Sequence, residues 1–416
     1  MNPNIAANQQ RLFLEFFGEL RPHLRRDSAL PRRIKEIFAR NRSIGSRDRK
    51  LYRELVYTAL RFLPWVEHWL DRDPQLAAKI TAWLAPELKP TSAYRSAHCG
   101  DWPPVPETLA EKAKIVATSV GAGREPLPEP LFDPQSLLPS WFRDHCPKAF
   151  ESPHLDAINS RANVWVRIQC NDRSLVFEEF RAQNWSWATS ADFPDAISLP
   201  PNAEVANSDA YRRGFVEIQD LGSQMVLAHA AIPRGQRWLD ACAGAGGKTL
   251  QLARLLGAQG HVDATDIRME ILDELADRAK RARLDNISIV RAATDGYDGV
   301  LVDAPCSGSG TWRRQPHLKW YTKPETIASF NATQLQILTD NTKHVRPGGL
   351  LIYATCSLSH YENRDLAAEF LRLHPEFEAK LPPRNFGGEF DGIGTSLLPG
   401  ARDTDGFYVA TFRRCS

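Results

Sequence analysis

Two hydrophobic patterns follow one another along this chain. From Asn8 to about Ala117, apolar residues recur at spacings of three and four, which is the period of an amphipathic helix. This pattern predicts a bundle of helices in the first part of the chain. Residues with this spacing include Leu12, Phe16, Leu20, Ile34, Phe38, Leu51, Leu55 and Leu60.

The pattern changes in the middle of the chain. Five prolines from Pro126 to Pro139 exclude a helix or a central strand there, so we predict a linker over 121–139. Beyond it, Val164–Ile168 and Ala196–Leu199 have strand patterns and Ser174–Ala182 has a helical one. These elements predict a small α+β module.

From Arg237 onward, strand and helix patterns alternate, as in a doubly wound parallel sheet. The predicted strands cover 237–239, 261–265, 287–290, 299–302, 350–353 and 407–412, and the predicted helices cover 249–256, 270–282 and 363–373. The predicted fold class is multidomain. It comprises an all-α bundle over 1–120, the linker, the α+β module over 140–225 and an α/β Rossmann-like core over 226–416.

Composition narrows the class of protein. A length of 416 residues fits two or three domains, and 25% charged with 43% hydrophobic residues is typical of a globular protein. No apolar run approaches the roughly 18 residues that a membrane span needs, and residues 1–10 lack a signal-peptide layout. Seven cysteines without a Cys-x-x-Cys pair indicate reduced thiols. We therefore expect a cytoplasmic monomer with no metal and no membrane partner.

Positive charge is concentrated in one segment. Between Arg21 and Arg53 there are twelve Lys or Arg and three acids, although the formal net charge of the chain is only +2. Such a segment is either a phosphate-binding surface or a solvated helical face with internal ion pairs. The basic residues are Arg21, Arg25, Arg26, Arg32, Arg33, Lys35, Arg40, Arg42, Arg47, Arg49, Lys50 and Arg53.

A glycine-rich turn follows the first strand of the alternating region. Its glycines let the backbone pass close to a ligand, and the helix after it offers unpaired N–H groups. A P-loop would need glycine in place of Cys242, and a dinucleotide fingerprint would need glycine in place of Thr249. The turn therefore suits a nucleoside-type cofactor. It consists of Cys242, Ala243, Gly244, Ala245, Gly246, Gly247 and Lys248.

Asp266 follows the next predicted strand, about twenty residues after the turn, where an acid can bind ribose hydroxyls. The alternative role is an N-cap for a helix that starts near Arg268. We favour the ribose role.

Two cysteines follow predicted buried strands. Cys306 lies in Asp-Ala-Pro-Cys-Ser-Gly from Asp303, and Cys356 lies in Tyr-Ala-Thr-Cys-Ser from Tyr353. A free cysteine is most often a small buried hydrophobe, but these neighbours indicate loops at the sheet edge where ligands bind. A thiol in such a place can act as a nucleophile.

Other candidate residues surround the first cysteine. Asp303 could hold or protonate a ring nitrogen, with Lys248 as its ion-pair partner. A basic and aromatic cluster follows, which either binds phosphates and bases or is a plain surface loop. It consists of Arg313, Arg314, His317, Lys319 and Trp320.

The glycine-rich turn and the two cysteine motifs together resemble the RNA (cytosine-5)-methyltransferases of the RsmB/Sun/Fmu family. The segment from Arg47 to Arg61 resembles the NusB-like helical domain that precedes the core in the ribosomal RNA members. The family implies S-adenosylmethionine in the turn, its ribose on Asp266 and its adenine near Asp295.

The resemblance also implies a separate catalytic role for each site residue. Cys356 attacks carbon 6 of cytosine, Asp303 stabilises the ring at its N3 edge, and Cys306 assists release of the covalent adduct. Lys248 and Asp303 count among both the catalytic and the cofactor-binding residues. The implied substrate is small-subunit (16S) rRNA, held by the basic segment and the middle module, with the target base flipped out.

Other functions remain open at this stage. Transfer RNA is a substrate of the same class, and DNA is a weaker possibility. The family has Ala-Pro where this chain has Gly244-Ala245, and a longer connection than the single Gly296 between Asp295 and the next strand. These departures favour a non-catalytic RNA-binding or antitermination factor with a vestigial core, whereas the two intact cysteines argue against it.

Overall fold

The computed structural model describes residues 2–41, 44–121, 131–383 and 386–415. Arg42 of the basic segment and three prolines of the predicted linker, Pro126, Pro128 and Pro130, lie outside the described residues. The chain forms two compact units. One comprises Met1–Arg161 and Trp312–Lys323, and the other comprises Ala162–Thr311 and Pro324–Ser416.

The helices, in chain order, are α1 (Pro3–Leu20), α2 (Leu30–Arg40), α3 (Ser46–Arg61), α4 (Leu63–Leu70), α5 (Pro74–Leu84), α6 (Lys89–His98), α7 (Leu109–Gly121), α8 (His154–Ile158), α9 (Ser174–Ala182), α10 (Asp209–Arg212), α11 (Leu221–Ala228), α12 (Gly247–Leu256), α13 (Ile271–Ala282), α14 (His317–Tyr321), α15 (Pro324–Asp340), α16 (Arg364–Leu373) and α17 (Pro399–Arg402). The strands are β1 (Val164–Ile168), β2 (Ala188–Thr189), β3 (Ala196–Leu199), β4 (Val216–Ile218), β5 (Arg237–Asp240), β6 (His261–Ala264), β7 (Ile287–Ile289), β8 (Tyr297–Asp303), β9 (Val345–Thr355), β10 (Phe377–Ala379), β11 (Glu389–Phe390), β12 (Gly394–Leu397) and β13 (Phe407–Arg414).

The first unit is built from α1–α8 and α14, with no strand among its described residues. Polar side chains start its helices: Asn2 accepts the Asn4 N–H before α1, and Asp73 accepts the Leu76 N–H at α5. The apolar stripes of these helices form its core, and Trp65 is fully buried there. The prediction of an all-α first part is confirmed.

This unit extends further along the chain than the predicted boundary at residue 120. The Trp65 indole N–H donates to the Asp133 carbonyl at 3.1 Å, and Leu137 is fully buried. The described part of the predicted linker therefore packs as part of the unit and includes a short 3₁₀ helix, Pro134–Leu137. Proline is compatible with this tight turn because it can occupy the first helical position.

The second unit contains two sheets. Strands β2, β3, β1 and β4 form an antiparallel sheet in that order, and α9 packs on it through Val176 and Phe180. The three elements predicted for the α+β module are present with their predicted bounds. They are strands β1 and β3 and helix α9.

The larger sheet has the order β11-β12-β13-β9-β8-β5-β6-β7, with β10 beside β13. Strands β5 to β9 are parallel, and β13 is antiparallel to β9. Alternate residues of its central strands are buried on opposite faces, Trp238 in one core cluster and Leu239 in the other. Burial of both faces explains why these strands are apolar runs. The predicted Rossmann-like core is confirmed.

The described residues contain neither a membrane-spanning helix nor a group of side chains suited to a metal ion. No helix there has the length and apolarity that a bilayer span requires. No three His, Cys, Asp or Glu side chains group together there as metal ligands would.

Candidate active site

The glycine-rich turn joins β5 to α12 at the carboxyl edge of the parallel strands. Gly246 has a φ of +89°, and a Cβ added there would lie 2.7 Å from a Leu275 methyl carbon. Glycine meets both constraints without strain. The turn therefore brings the N-terminus of α12, with its unpaired N–H groups, to the sheet edge.

Buried polar contacts fix this turn. Arg278 Nη1 donates to the Ala245 carbonyl at 2.6 Å, and Thr249 Oγ1 donates to Asp240 Oδ2 at 2.7 Å. Burial raises the pKa of Asp240 to about 7, and the nearby Asp303 carboxylate adds to the shift. The turn thus starts at a carboxyl group that holds its proton more strongly than an exposed aspartate.

Asp266 follows β6 and binds the turn directly. Its Oδ2 accepts the Gly244 N–H at 2.8 Å, and its Oδ1 accepts the Arg268 N–H at 2.9 Å. Burial acts to raise the pKa of Asp266, but the hydrogen bonds from Arg268 and Gly244 outweigh it and lower that pKa. Helix α13 begins only at Ile271, so Asp266 is not its N-cap. An ionised acid beside the turn suits ribose hydroxyls.

A cavity of about 950 Å³ runs along the turn, at the upper end of the range of about 300–1,000 Å³ for cofactor pockets. Phe330 and Ile337 of α15 give it an apolar wall, and Ile267, 98% exposed, offers an apolar surface beside Asp266. These groups could hold a nucleoside. The predicted site residues that line the cavity are Cys242, Ala243, Gly244, Ala245, Gly247, Lys248, Asp266, Asp303 and Cys306.

The two cysteines lie side by side. Strands β8 and β9 are parallel neighbours in which Asp303 pairs with Ala354, so the loops after them meet. The sulfur atoms of Cys306 and Cys356 are 3.3 Å apart. The contact with Cys356, burial and the Glu362 carboxylate raise the pKa of Cys306 well above its ordinary value. Either thiol can donate in this contact, and the raised pKa favours the protonated form of Cys306.

The ion pair expected between Lys248 and Asp303 is present. Lys248 Nζ donates to Asp303 Oδ2 at 2.8 Å and lies 5.2 Å from the centre of the Phe407 ring. The lysine side chain is 8% exposed and the aspartate side chain 32% exposed, so the carboxylate remains open to the cavity. The lysine orients an acceptor that a ligand can reach.

Glu362 is a site residue that sequence reasoning missed. Its buried carboxylate accepts the Ser307 N–H at 2.8 Å, Ser307 Oγ at 2.6 Å and Ser357 Oγ at 2.5 Å. Gln334 Nε2 donates to it at 3.0 Å. Each serine directly follows one of the two cysteines, so one carboxylate joins both loops. Its only sequence signal is an acid six residues after Cys356.

Asp295 does not lie at this edge, and its predicted contact with adenine is wrong. Its carboxylate contacts His344 Nδ1 at 3.1 Å, just before β9 begins at Val345, and its side chain is 79% exposed. The short connection after β7 must return to the amino end of β8, which carries Asp295 to the opposite edge of the sheet. The acids that line the cavity are Asp220, Asp266, Asp303 and Asp340.

The basic and aromatic cluster after Cys306 is also not part of the cavity. Arg313, His317 and Lys319 belong to the helical unit and are at most 1% exposed. Lys319 Nζ donates there to Asn159 Oδ1 at 2.7 Å. The predicted phosphate and base contacts of these three side chains are wrong, because they are buried in a protein core.

The basic segment is partly neutralised within the helical unit. Five of its arginines each pair with an acid, which reduces the charge that they offer to another molecule. A phosphate-binding role for the segment stays a prediction. The paired residues are Arg21, Arg25, Arg32, Arg33 and Arg40.

Known proteins resemble this chain in sequence and fold. The family model described as 16S rRNA methyltransferase RsmB/F matches residues 228–413. The ribosomal RNA small subunit methyltransferase B of Enterobacter sp. (strain 638) is 32% identical over 293 residues, which are 67% of this chain and 67% of that protein. The protein of the same name from Klebsiella pneumoniae (strain 342) is 30% identical over 290 residues, 66% of this chain and 65% of that protein.

The match therefore spans slightly less than two thirds of the Klebsiella relative. The crystal structure of PH0851 has a TM-score of 0.72 and 21% identity, and covers 100% of this chain and 99% of that one, which shows a shared fold. The family predicted from the glycine-rich turn and the two cysteine motifs is confirmed. This chain belongs to the 16S rRNA methyltransferase RsmB/F family.

Proposed function

We propose that this protein transfers a methyl group from S-adenosylmethionine to carbon 5 of a cytosine in RNA, with small-subunit (16S) rRNA as the substrate. The observation that carries the proposal is the pair of sulfur atoms 3.3 Å apart, with Cys306 in the wall of the cavity along the glycine-rich turn. The names of the relatives support the choice of RNA.

The cofactor would occupy the cavity along the turn. Asp266 would accept its ribose hydroxyls, and Ile267 would pack against its base. The unpaired N–H groups at the start of α12 suit its carboxylate. S-Adenosylmethionine would supply an electrophilic methyl group on a positively charged sulfur.

The side chains of the site would act on the cytosine ring. The Cys356 sulfur, after giving its proton to a water molecule, would form a bond to carbon 6. The electrons of the double bond between carbons 5 and 6 then shift into the ring, which makes carbon 5 nucleophilic toward the methyl group. Asp303 would accept a hydrogen bond from the ring's amino group beside N3, and the ammonium of Lys248, which donates to Asp303 Oδ2 at 2.8 Å, would offset the negative charge that develops at the N3 edge.

Release reverses the addition. Carbon 5 gives its proton to a water molecule, the double bond between carbons 5 and 6 re-forms, and the electron pair of the broken bond between carbon 6 and sulfur returns to Cys356. The Cys306 thiol, 3.3 Å away, keeps its proton because its pKa is raised. Its S–H group then stabilises the departing sulfur anion by a hydrogen bond.

Radiolabelled S-adenosylmethionine with unmodified small-subunit rRNA tests the proposal. The wild type should label the RNA, Cys356→Ala should not, and Cys306→Ala should accumulate a protein–RNA adduct on a denaturing gel. Cys415→Ala, which changes an exposed cysteine, is the matched control and should behave as the wild type. Swapped behaviour of the two site variants would show that Cys306 is the nucleophile.

Transfer RNA and a matched DNA in parallel reactions would reveal a different substrate. Absence of label on every substrate, together with no thermal shift on adding S-adenosylmethionine, would contradict the proposal. That result would favour the non-catalytic RNA-binding factor.

A further inference from the structure

A second cavity, of about 600 Å³, lies within the helical unit. Its walls contain four cationic side chains, Arg61, Arg95, Lys112 and Arg161, and one acid, Glu87. Arg95 forms a salt bridge with Glu87, so these two charges offset each other. Arg161 is likewise paired with Glu54, so Arg61 and Lys112 remain as the charges that a ligand would meet.

Two of these cations are hydrogen-bonded only to neutral oxygens among the described residues. Arg61 Nη2 donates to the Arg313 carbonyl at 3.0 Å, and Arg61 Nε is buried without a partner. Lys112 Nζ donates to the Glu107 carbonyl at 2.7 Å. Burial lowers the pKa of Arg61 to about 10 and also lowers that of Lys112. Glu54 attracts Arg61, and Asp156, Glu107 and Glu111 attract the half-buried Lys112, but the hydrogen bonds of both cations go to neutral oxygens. Removing a cation from water without a hydrogen-bonded carboxylate is costly for a protein.

More positive charge lies next to this wall. Arg161 binds Glu54 through two hydrogen bonds of 2.9 and 2.7 Å, which occupies that acid. The fully buried Lys319 donates to three neutral oxygens, among them the Arg61 carbonyl and Asn159 Oδ1. An anion in the cavity would relieve the repulsion among these groups.

We infer that this cavity binds a phosphate group of the RNA. The inference rests on the proposed function, which supplies RNA as the substrate. Arg61 and Lys112 would bind the phosphate oxygens, because guanidinium and ammonium groups are the usual partners of phosphate. The half-buried Trp102 would give the neighbouring base an aromatic surface. The cavity would thus add a phosphate contact to RNA binding. The paired arginines of the basic segment can supply such a contact only weakly, because acids offset their charge.

The test compares Lys112→Gln with Lys114→Gln. Both variants remove one positive charge from α7, but Lys114 is exposed and does not line the cavity. Affinity for a small-subunit rRNA fragment is measured from low to moderate salt. Loss of one phosphate contact should weaken binding several-fold and reduce the slope of log K against log salt by about one unit. Lys114→Gln should change neither quantity by as much.

Arg61→Met is the second variant and should act in the same direction as Lys112→Gln. If it fails to fold, as thermal melting would show, Lys112→Gln decides the question. Equal salt slopes for Lys112→Gln and Lys114→Gln would overturn the inference. So would stabilisation of the wild type by inorganic phosphate without any effect of Lys112→Gln on RNA binding, because the cavity would then take free phosphate only.

Failure of the proposed function would look different. In that case the wild type itself would transfer no methyl groups, whether or not it bound the rRNA fragment. If the wild type methylates RNA and both lysine variants bind RNA alike, the proposed phosphate site is contradicted and the proposed function is not.

Discussion

Among individual residues, Asp240 links stability to pH. Its folded-state pKa is about 7, against 3.8 for an ordinary aspartate, so the folded protein binds more protons than the unfolded chain between these values. The free energy of unfolding should therefore fall as pH rises from about 4 to about 7. Asp240→Asn should reduce this decline and stabilise the protein at pH 8 by about 1 kcal/mol or more, the equivalent of one pKa unit.

Urea denaturation at pH 5 and pH 8 measures this effect. Asp209→Asn, which changes an exposed acid of α10, is the control and should leave the pH dependence unchanged. The same decline in Asp240→Asn as in the wild type would show that the Asp240 carboxyl is not the group responsible.

Glu362 should contribute both to the stability of the protein and to the rate of methyl transfer. Glu362→Gln removes an acceptor that serves Ser307 and Ser357, so it should destabilise the protein by about 1–3 kcal/mol. It should also slow methyl transfer more than it weakens binding of S-adenosylmethionine, because it displaces the cysteines and not the glycine-rich turn.

Thermal melting, single-turnover methylation and cofactor titration give the three quantities. Glu325→Gln, at an exposed position of α15, should match the wild type in each. Normal turnover in a destabilised Glu362→Gln protein would limit Glu362 to a structural role.

Among elements, the turn before α12 depends on Gly246. Gly246→Ala would place a methyl group against Leu275 in a left-handed conformation, and we expect at least tenfold weaker cofactor binding, about 1.4 kcal/mol. Gly244→Ala, in the same turn, also has a positive φ, +51°, but its added Cβ would lie 3.8 Å from the nearest side-chain atom, so it separates the backbone cost from the clash. Calorimetric titration measures both variants, and equal affinities would remove Leu275 from the explanation.

The elements also show what the sequence could predict. The pattern of apolar runs located β5, β6, β8 and β9, which are largely buried. The parallel order of β8 and β9 then brought the two cysteines together. The same reasoning missed α15, whose buried residues include the polar Gln334, a partner of Glu362. Sequence reasoning placed Asp295 at the wrong edge of the sheet. Local sequence does not show at which edge each residue of the connection from β7 to β8 lies.

The segment 312–323 was misjudged for a related reason. Lys319 and His317 read as surface residues by composition, yet both are buried because their partners come from chain positions far away in sequence. No local pattern carries that information. Conversely, the glycine-rich turn was recognisable because its constraints are local ones of backbone conformation.

In the whole molecule, the segment Trp312–Lys323 packs in the helical unit, although in sequence it interrupts the second unit. The Trp312 and Phe142 rings lie 4.5 Å apart within the helical unit, so a chain limited to 162–416 would lack the partners of this segment. We expect that shortened chain to aggregate. The same chain with 312–323 replaced by a Gly/Ser loop should be more soluble, which size-exclusion chromatography would show. Equal solubility of the two would mean that the segment tolerates exposure.

This arrangement also sets an order of events during protein synthesis. The helical unit is encoded first, but its core lacks the Trp312 ring and the Lys319 ammonium until the ribosome has passed Lys323. By then the strand that leads to Cys306 has already been made. The helical unit therefore cannot complete its packing until strands β1 to β8 of the other unit have been made.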